Sequence, residues 1–217
     1  MVVSLTFDDG PDERWTPLVL AALERAGVTA TFFVVTEQIA EPAGPDLLAA
    51  IAGGGHRVEA HCSRHRPHDV QSRTELAADV AELLTAIQAQ ELPRPVLWRP
   101  PYGRLNHPSS FELADQTGLQ LVLWTSDPRD YRDTEPQAML DHVARALYGD
   151  SVILLHDSRR YASTSDSAAN TVALIEPLVE EVRRRGFEIG PLQVPVGRRR
   201  SRPGEDEELV PRPLSGV

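Results

Sequence analysis

The sequence predicts an α/β domain built on a parallel sheet with covering helices. Strand-like and helix-like segments alternate from end to end, which is the signature of crossover connections between parallel strands. The residue types that do chemistry fall at the C-terminal ends of those strands or in the loops after them, where barrel enzymes place their sites. At 217 residues and 41% hydrophobic, the chain can bury one sizeable core and is too short for two comfortable ones. The pattern alone permits either an open sheet or a barrel.

The elements follow in order. Met1 to Phe7 is a β-branched, apolar run stopped by Gly10-Pro11. Thr16 is expected to cap a helix with Pro17 at its first position and Gly27 at its end. Thr29 to Val35 reads as a strand, and Asp46 to Ala52 as a short helix ended by Gly53-Gly54-Gly55. Arg57 to Ala60 leads as a strand into His61, and Ser72 with Glu75 forms a capping-box pattern opening a helix to about Gln90. Val96 to Trp98 is a strand, Phe111 to Thr117 a helix ended by Gly118, and Leu119 to Trp124 another strand. Thr134 and Gln137 are expected to cap the next helix. Ser151 to Leu155 is a strand, Asn170 to Arg185 a helix closed by Gly186, and Phe187 to Ile189 a last strand. These elements define one domain over residues 1–196. The remainder, 197–217, separates an arginine run from the acidic Glu205-Asp206-Glu207-Glu208 and reads as a disordered charged tail.

Composition narrows the partners. A formal net charge of −10 argues against nucleic acid or an anionic membrane surface and suits a neutral sugar or another uncharged amide. All 22 basic residues are arginine, so lysine Schiff-base and lysine general-base chemistry are excluded. The single cysteine, Cys62, excludes an internal disulfide. No signal-peptide pattern precedes Val2 and no apolar run is long enough to span a membrane, so the sequence as it stands reads as cytoplasmic. A chain trimmed of its leader would read the same. The expected protein is a monomer.

Five clusters carry chemistry. Asp8 and Asp9 sit side by side where the first strand ends. Neighbouring residues point to opposite faces of a strand, so both reach one site only where the strand twists. Two carboxylates so close rarely ionise together unless a cation neutralises one, which divides the pair into a metal ligand and a proton carrier. A turn and helix-cap device explains the stretch Thr6-Phe7-Asp8-Asp9-Gly10-Pro11 equally well. His61 and His65 stand four apart, a spacing that lets both imidazoles converge on one ion if the segment is helical or tightly turned. Cys62 between them reads as a small packing residue. Then come Trp98-Arg99-Pro100-Pro101-Tyr102-Gly103, Asp127-Pro128-Arg129-Asp130-Tyr131 and Ile153-Leu154-Leu155-His156-Asp157. His68 is a competing ligand outside the pattern, and His56, His107 and His142 read as surface or packing residues.

In this order and over roughly Val2 to Val196, the five clusters resemble the polysaccharide deacetylase family, the NodB-homology domain of carbohydrate esterase family four. The resemblance implies a distorted (β/α)7-type barrel of parallel strands. It implies that Asp9, His61 and His65 hold a divalent metal, most simply Zn2+, with Co2+, Ni2+ or Mn2+ as alternatives. It further implies that Asp8 is the base taking a proton from metal-bound water, oriented by Arg99. The Tyr102 backbone N–H would help stabilise the oxyanion, and His156, charged through Asp130, would protonate the departing amine. Tyr131 and Leu154 would line the acetyl pocket, while Asp127 reads as a turn carboxylate. The implied activity is removal of an N-acetyl group from an N-acetylated amino sugar or oligosaccharide. An O-acetyl esterase of the xylan type, or a non-sugar amidase, is the neighbouring alternative within the family. A non-catalytic carbohydrate-binding protein is the alternative from another class.

Three positions depart from the family pattern. Cys62 stands where Ser or Thr is usual, with the expected loss of a loop hydrogen bond near His65. Tyr131 replaces a usual Trp, which puts a hydroxyl near the acyl pocket. Glu59 is expected to bring an extra charge close to the metal loop.

Overall fold

The computed structural model describes residues 1–106, 108–162, 165 and 167–193. The expected tail and His107 lie outside the described residues. Strands β1 (Val2–Asp8), β2 (Thr31–Val35), β3 (Arg57–Cys62), β4 (Leu97–Trp98), β5 (Gln120–Leu121), β6 (Val152–His156) and β7 (Glu188–Ile189) pair in parallel throughout. Their order is β5-β4-β3-β2-β1-β6, with β7 beside the start of β1. Helices α1 (Trp15–Ala26), α2 (Thr36–Ile39), α3 (Gly44–Gly53), α4 (Arg73–Gln88), α5 (Ser109–Thr117), α6 (Pro136–Ala146) and α7 (Ala169–Arg184) form the connections.

The sheet closes on itself after β5. Val122 makes the last bond to β4, donating to the Trp98 carbonyl at 3.0 Å. A few residues later Ser126 bridges Ile153, and the Leu154 N–H donates to the Ser126 carbonyl at 3.0 Å. The segment expected as one strand over Leu119–Trp124 is therefore paired as a strand only at its start, because it must swing from β4 to β6. The result is the distorted barrel that the resemblance implies.

Alternation along each strand divides the interior in two. Val3, Leu5 and Phe7 of β1, Phe32 and Val34 of β2, Trp98, and Ile153 with Leu155 of β6 join one apolar cluster with the helices. The intervening residues face inward, and most are polar: Ser4, Thr6 and Asp8, Thr31, Glu59 and His61, Arg99, and His156. A small apolar plug of Phe33, Leu97 and Leu192 sits among them.

Local signals succeed where they act alone. Ser72 and Glu75 form the reciprocal capping box, with the Ser72 N–H donating to Glu75 at 2.8 Å. Gly27 and Gly118 take left-handed conformations at φ 63° and 71°, ending α1 and α5. Two expected caps are corrected. Asp12, not Thr16, receives the N–H groups of Arg14 and Trp15, each at 2.9 Å. Thr16 instead lies inside the first turn, where its hydroxyl donates to Asp157 at 2.5 Å. Helix α6 starts at Pro136, which has no N–H to satisfy. Thr134 is left to donate to the Arg129 carbonyl at 3.0 Å, and Gln137 to Asp141 at 2.9 Å.

Candidate active site

The first strand ends on Asp8, whose side chain points inward after Ser4 and Thr6. Asp9 then adopts φ 77°, a left-handed conformation that costs a non-glycine residue about 1–2 kcal/mol. That reversal brings both carboxylates to one place, which a continuing strand forbids. Behind them Gly10 lies against Asp157 so closely that a Cβ there would overlap the Asp157 carboxylate. Burial pushes the Asp157 carboxyl up to about 7, opposed by the Thr16 hydrogen bond and aided by the charges of Asp9 and Asp12.

Asp9, His61 and His65 are all buried, and one potential ligand atom from each lies within 4.8 Å of the others. The Nε2 atoms of His61 and His65 are 3.3 and 3.0 Å from Asp9 Oδ1. That oxygen nonetheless has no aligned hydrogen bond among the described residues. His61 Nδ1 donates to the Arg99 carbonyl at 2.7 Å, which leaves Nε2 with its lone pair facing Asp9. A buried oxygen without a donor beside two imidazole nitrogens fits a divalent cation. Burial alone would raise the Asp9 carboxyl, yet the charge of His65 and contacts with both imidazoles together hold it well below the usual carboxylate range.

Arg99 is fully buried and supports the other member of the pair. Its guanidinium donates to Asp8 Oδ1 and to the Thr6 hydroxyl, both at 2.8 Å, and to the Leu123 carbonyl at 3.2 Å. It lies 4.0 Å over the Phe33 ring. Desolvation lowers its pKa, and Asp8 opposes that shift.

Across the cleft, Asp130 Oδ1 accepts from His156 Nδ1 and Asp130 Oδ2 from the His156 backbone N–H, each at 2.8 Å. Thr171 donates to the same Oδ2 at 2.9 Å. The Tyr131 ring stands edge-on to His156, and its hydroxyl donates to Asp127 at 3.1 Å. Asp127 also receives the Arg129 N–H at 2.8 Å, as a turn carboxylate does, while lining the cleft.

The cleft has a volume of about 450 Å³ and gathers Asp8, Asp9, His61, His65, Tyr102, Tyr131, Leu154 and His156. Arg99 and Asp130 stand behind it. Sequence reasoning missed Trp124, Ser158, Arg159 and Tyr161, which also line it. Trp124 ends the apolar run that the sequence predicts as a strand. Arg159 is buried and donates to Asp133 at 2.5 Å and to the Tyr131 carbonyl at 2.7 Å.

Other expectations resolve as packing. His68 is buried against Trp98, with Nδ1 3.2 Å from the Ser110 hydroxyl; burial, then the charge of His61, lowers it to about 3. His56 accepts the Ala30 N–H at 3.1 Å, and His142 is exposed. The loop hydrogen bond expected to be lost at Cys62 is present, with its sulfur accepting the His65 N–H at 3.2 Å. Glu59 brings no charge to the metal loop. It pairs with Arg57 and accepts the N–H groups of Val96 and Leu97 at 2.8 and 2.7 Å, two residues before His61 on the inner face.

Comparison with known proteins agrees with this arrangement. The polysaccharide deacetylase model matches residues 1–122. A chitooligosaccharide deacetylase from Bradyrhizobium sp. is 35% identical over 201 residues, 88% of this chain and 88% of its own. A peptidoglycan-N-acetylglucosamine deacetylase from Bacillus cereus is 29% identical over 188 residues, 86% of this chain and 84% of that one. A family 4 carbohydrate esterase from Streptomyces lividans, solved in complex with acetate, superimposes with a TM-score of 0.77 at 30% identity, over 87% of this chain and 91% of that chain. Motif order, barrel and relatives converge: the chain belongs to the polysaccharide deacetylase family.

Proposed function

We propose that the protein removes N-acetyl groups from an N-acetylated amino sugar or oligosaccharide. The observation that carries this reading is the placement of two differently supported groups, Asp8 with Arg99 and His156 with Asp130, on one cleft with the Asp9, His61 and His65 set. Amide hydrolysis needs a base for water and an acid for the amine, and this chain offers one of each. The relatives named for chitooligosaccharide and peptidoglycan N-acetylglucosamine support the substrate class. The net negative charge suits an uncharged sugar.

Asp9, His61 and His65 would hold a cation, which would supply Lewis acidity to the acyl carbonyl and acidify water at the site. One oxygen and two nitrogen donors suit Zn2+, with Co2+, Ni2+ and Mn2+ also compatible. Asp8 accepts the proton of the attacking water on Oδ2, because Arg99 occupies Oδ1. The Tyr102 backbone N–H donates to the developing oxyanion. His156 gives a proton from Nε2 to the leaving nitrogen while Nδ1 stays bound to Asp130. Tyr131 and Leu154 enclose the acetyl methyl.

The test is an activity panel of N-acetylated oligosaccharides, small N-acetyl amino sugars and acetylated xylan. Amide cleavage that disappears on chelation and returns with zinc or cobalt is the expected result. Full activity after exhaustive chelation would sink the metal-dependent reading, and cleavage of acetylated xylan alone would make the protein an O-deacetylase.

A further inference from the structure

The two histidines of the metal set are held in different ways. His61 is oriented as metal-binding histidines usually are, by a hydrogen bond from its second ring nitrogen, here to the Arg99 carbonyl at 2.7 Å. His65 has no such bond: its Nδ1 is buried and has no hydrogen-bond partner among the described residues. Its ring is instead enclosed by aromatic faces. Tyr161 stacks on it with centroids 4.3 Å apart and planes 11° from parallel, and Tyr102 meets it edge-on at 4.6 Å.

We propose that Tyr161 is a positioning residue for His65, setting the plane of the imidazole through ring stacking where a hydrogen bond does that work for His61. Turning the imidazole about its Cβ–Cγ bond would drive its edge into the Tyr161 face. Tyr161 is itself anchored. Gln38 donates to its hydroxyl at 3.4 Å, and Arg160 donates to Gln38 at 3.2 Å and to Glu41 at 2.9 Å. The loop after β6 is thereby fastened to α2 and its following turn. Tyr161 belongs to no family cluster in the sequence.

This inference rests on the metal assignment, so the experiment separates the two. Zinc affinity of the full-length protein is measured by competition with a chromophoric chelator for wild type, Tyr161→Phe and Tyr161→Leu, and cobalt-loaded samples are compared by their visible d–d spectra. Tyr161→Phe keeps the stack and should bind zinc within about twofold of wild type, with the wild-type cobalt spectrum. Tyr161→Leu should bind roughly 10–100-fold more weakly, the usual scale for losing the outer support of a metal ligand, with an altered cobalt spectrum. Tyr161 is half-buried on a surface loop, and matching thermal midpoints of the metal-free proteins would show that the barrel is unchanged. Wild-type affinity and spectrum in Tyr161→Leu would overturn the inference alone, as would equal losses in Tyr161→Phe and Tyr161→Leu. Failure of the wild type to take up zinc would overturn the metal assignment and this inference with it.

Discussion

Asp130 holds His156 at two points, its Oδ1 taking the imidazole Nδ1–H and its Oδ2 the backbone N–H, each at 2.8 Å. Burial by itself lowers the imidazole pKa, but the Asp130 charge and hydrogen bond, with the charges of Asp9 and Asp8, together raise the group to about 10. A cation at Asp9 would cancel the share of this shift that Asp9 contributes. The folded value lies above the ordinary 6.5, so the stability lent by the charged pair is complete below about 6.5 and is lost as pH rises through about 10. Asp130→Asn should therefore release the His156 proton at lower pH and move the basic limb of the pH–rate profile downward. A profile of amide hydrolysis for both proteins checks this, and an unmoved limb contradicts it.

His156 also distinguishes leaving groups. An amine leaves badly without a proton, whereas an activated ester releases a stable alkoxide or phenolate. His156→Ala should cut amide hydrolysis by about 10²–10⁴-fold while largely sparing an activated acetyl ester. Equal losses on both substrates would mean that His156 holds the site together instead of supplying a proton.

The adjacent carboxylates should separate cleanly. Asp8→Asn should keep metal and lose at least about a hundredfold in turnover, the scale of a positioned base. Asp9→Asn should lower metal occupancy, read by elemental analysis after dialysis. Occupancy lost with Asp8→Asn and kept with Asp9→Asn would reverse the two roles.

Arg99 is fully buried against Asp8, and its removal strands that carboxylate. Arg99→Met should destabilise the fold by about 3–5 kcal/mol, the cost of leaving one member of a buried ion pair alone. Adding Asp8→Asn should restore part of that loss, since the uncompensated charge is then gone. Denaturant unfolding of the single and double variants at neutral pH measures this. Additive losses would show that the pair is not energetically coupled.

Features resting on neighbours in sequence were legible: the capping box at Ser72 and Glu75, the glycine ends at Gly27 and Gly118, and the strand–helix alternation. So were the residues that converge on the cleft, because each motif carries its chemistry in its residue types. Contacts between distant segments were not legible. Nothing near Tyr161 signals that it faces His65, and nothing near Asp157 signals that it abuts Gly10. Glu59 looked like a charge for the metal loop because its sequence neighbour is Ala60-His61, yet strand pairing hands it the N–H groups of Val96 and Leu97. The cap expected at Thr16 failed for a similar reason, its hydroxyl being claimed by Asp157 just after β6.

The division of each strand into two faces has a consequence for changing this protein by design. Phe7 and Leu155 belong to the apolar layer beneath the helices, while their immediate neighbours Asp8 and His156 face each other across paired strands inside the barrel. Durability and reactivity are thus encoded on alternate letters of the same short words. Randomising cleft-lining loop positions such as Trp124 and Ala162 would explore new substrates without touching a residue of the apolar layer, and randomising that layer would tune thermal tolerance without editing a reacting group.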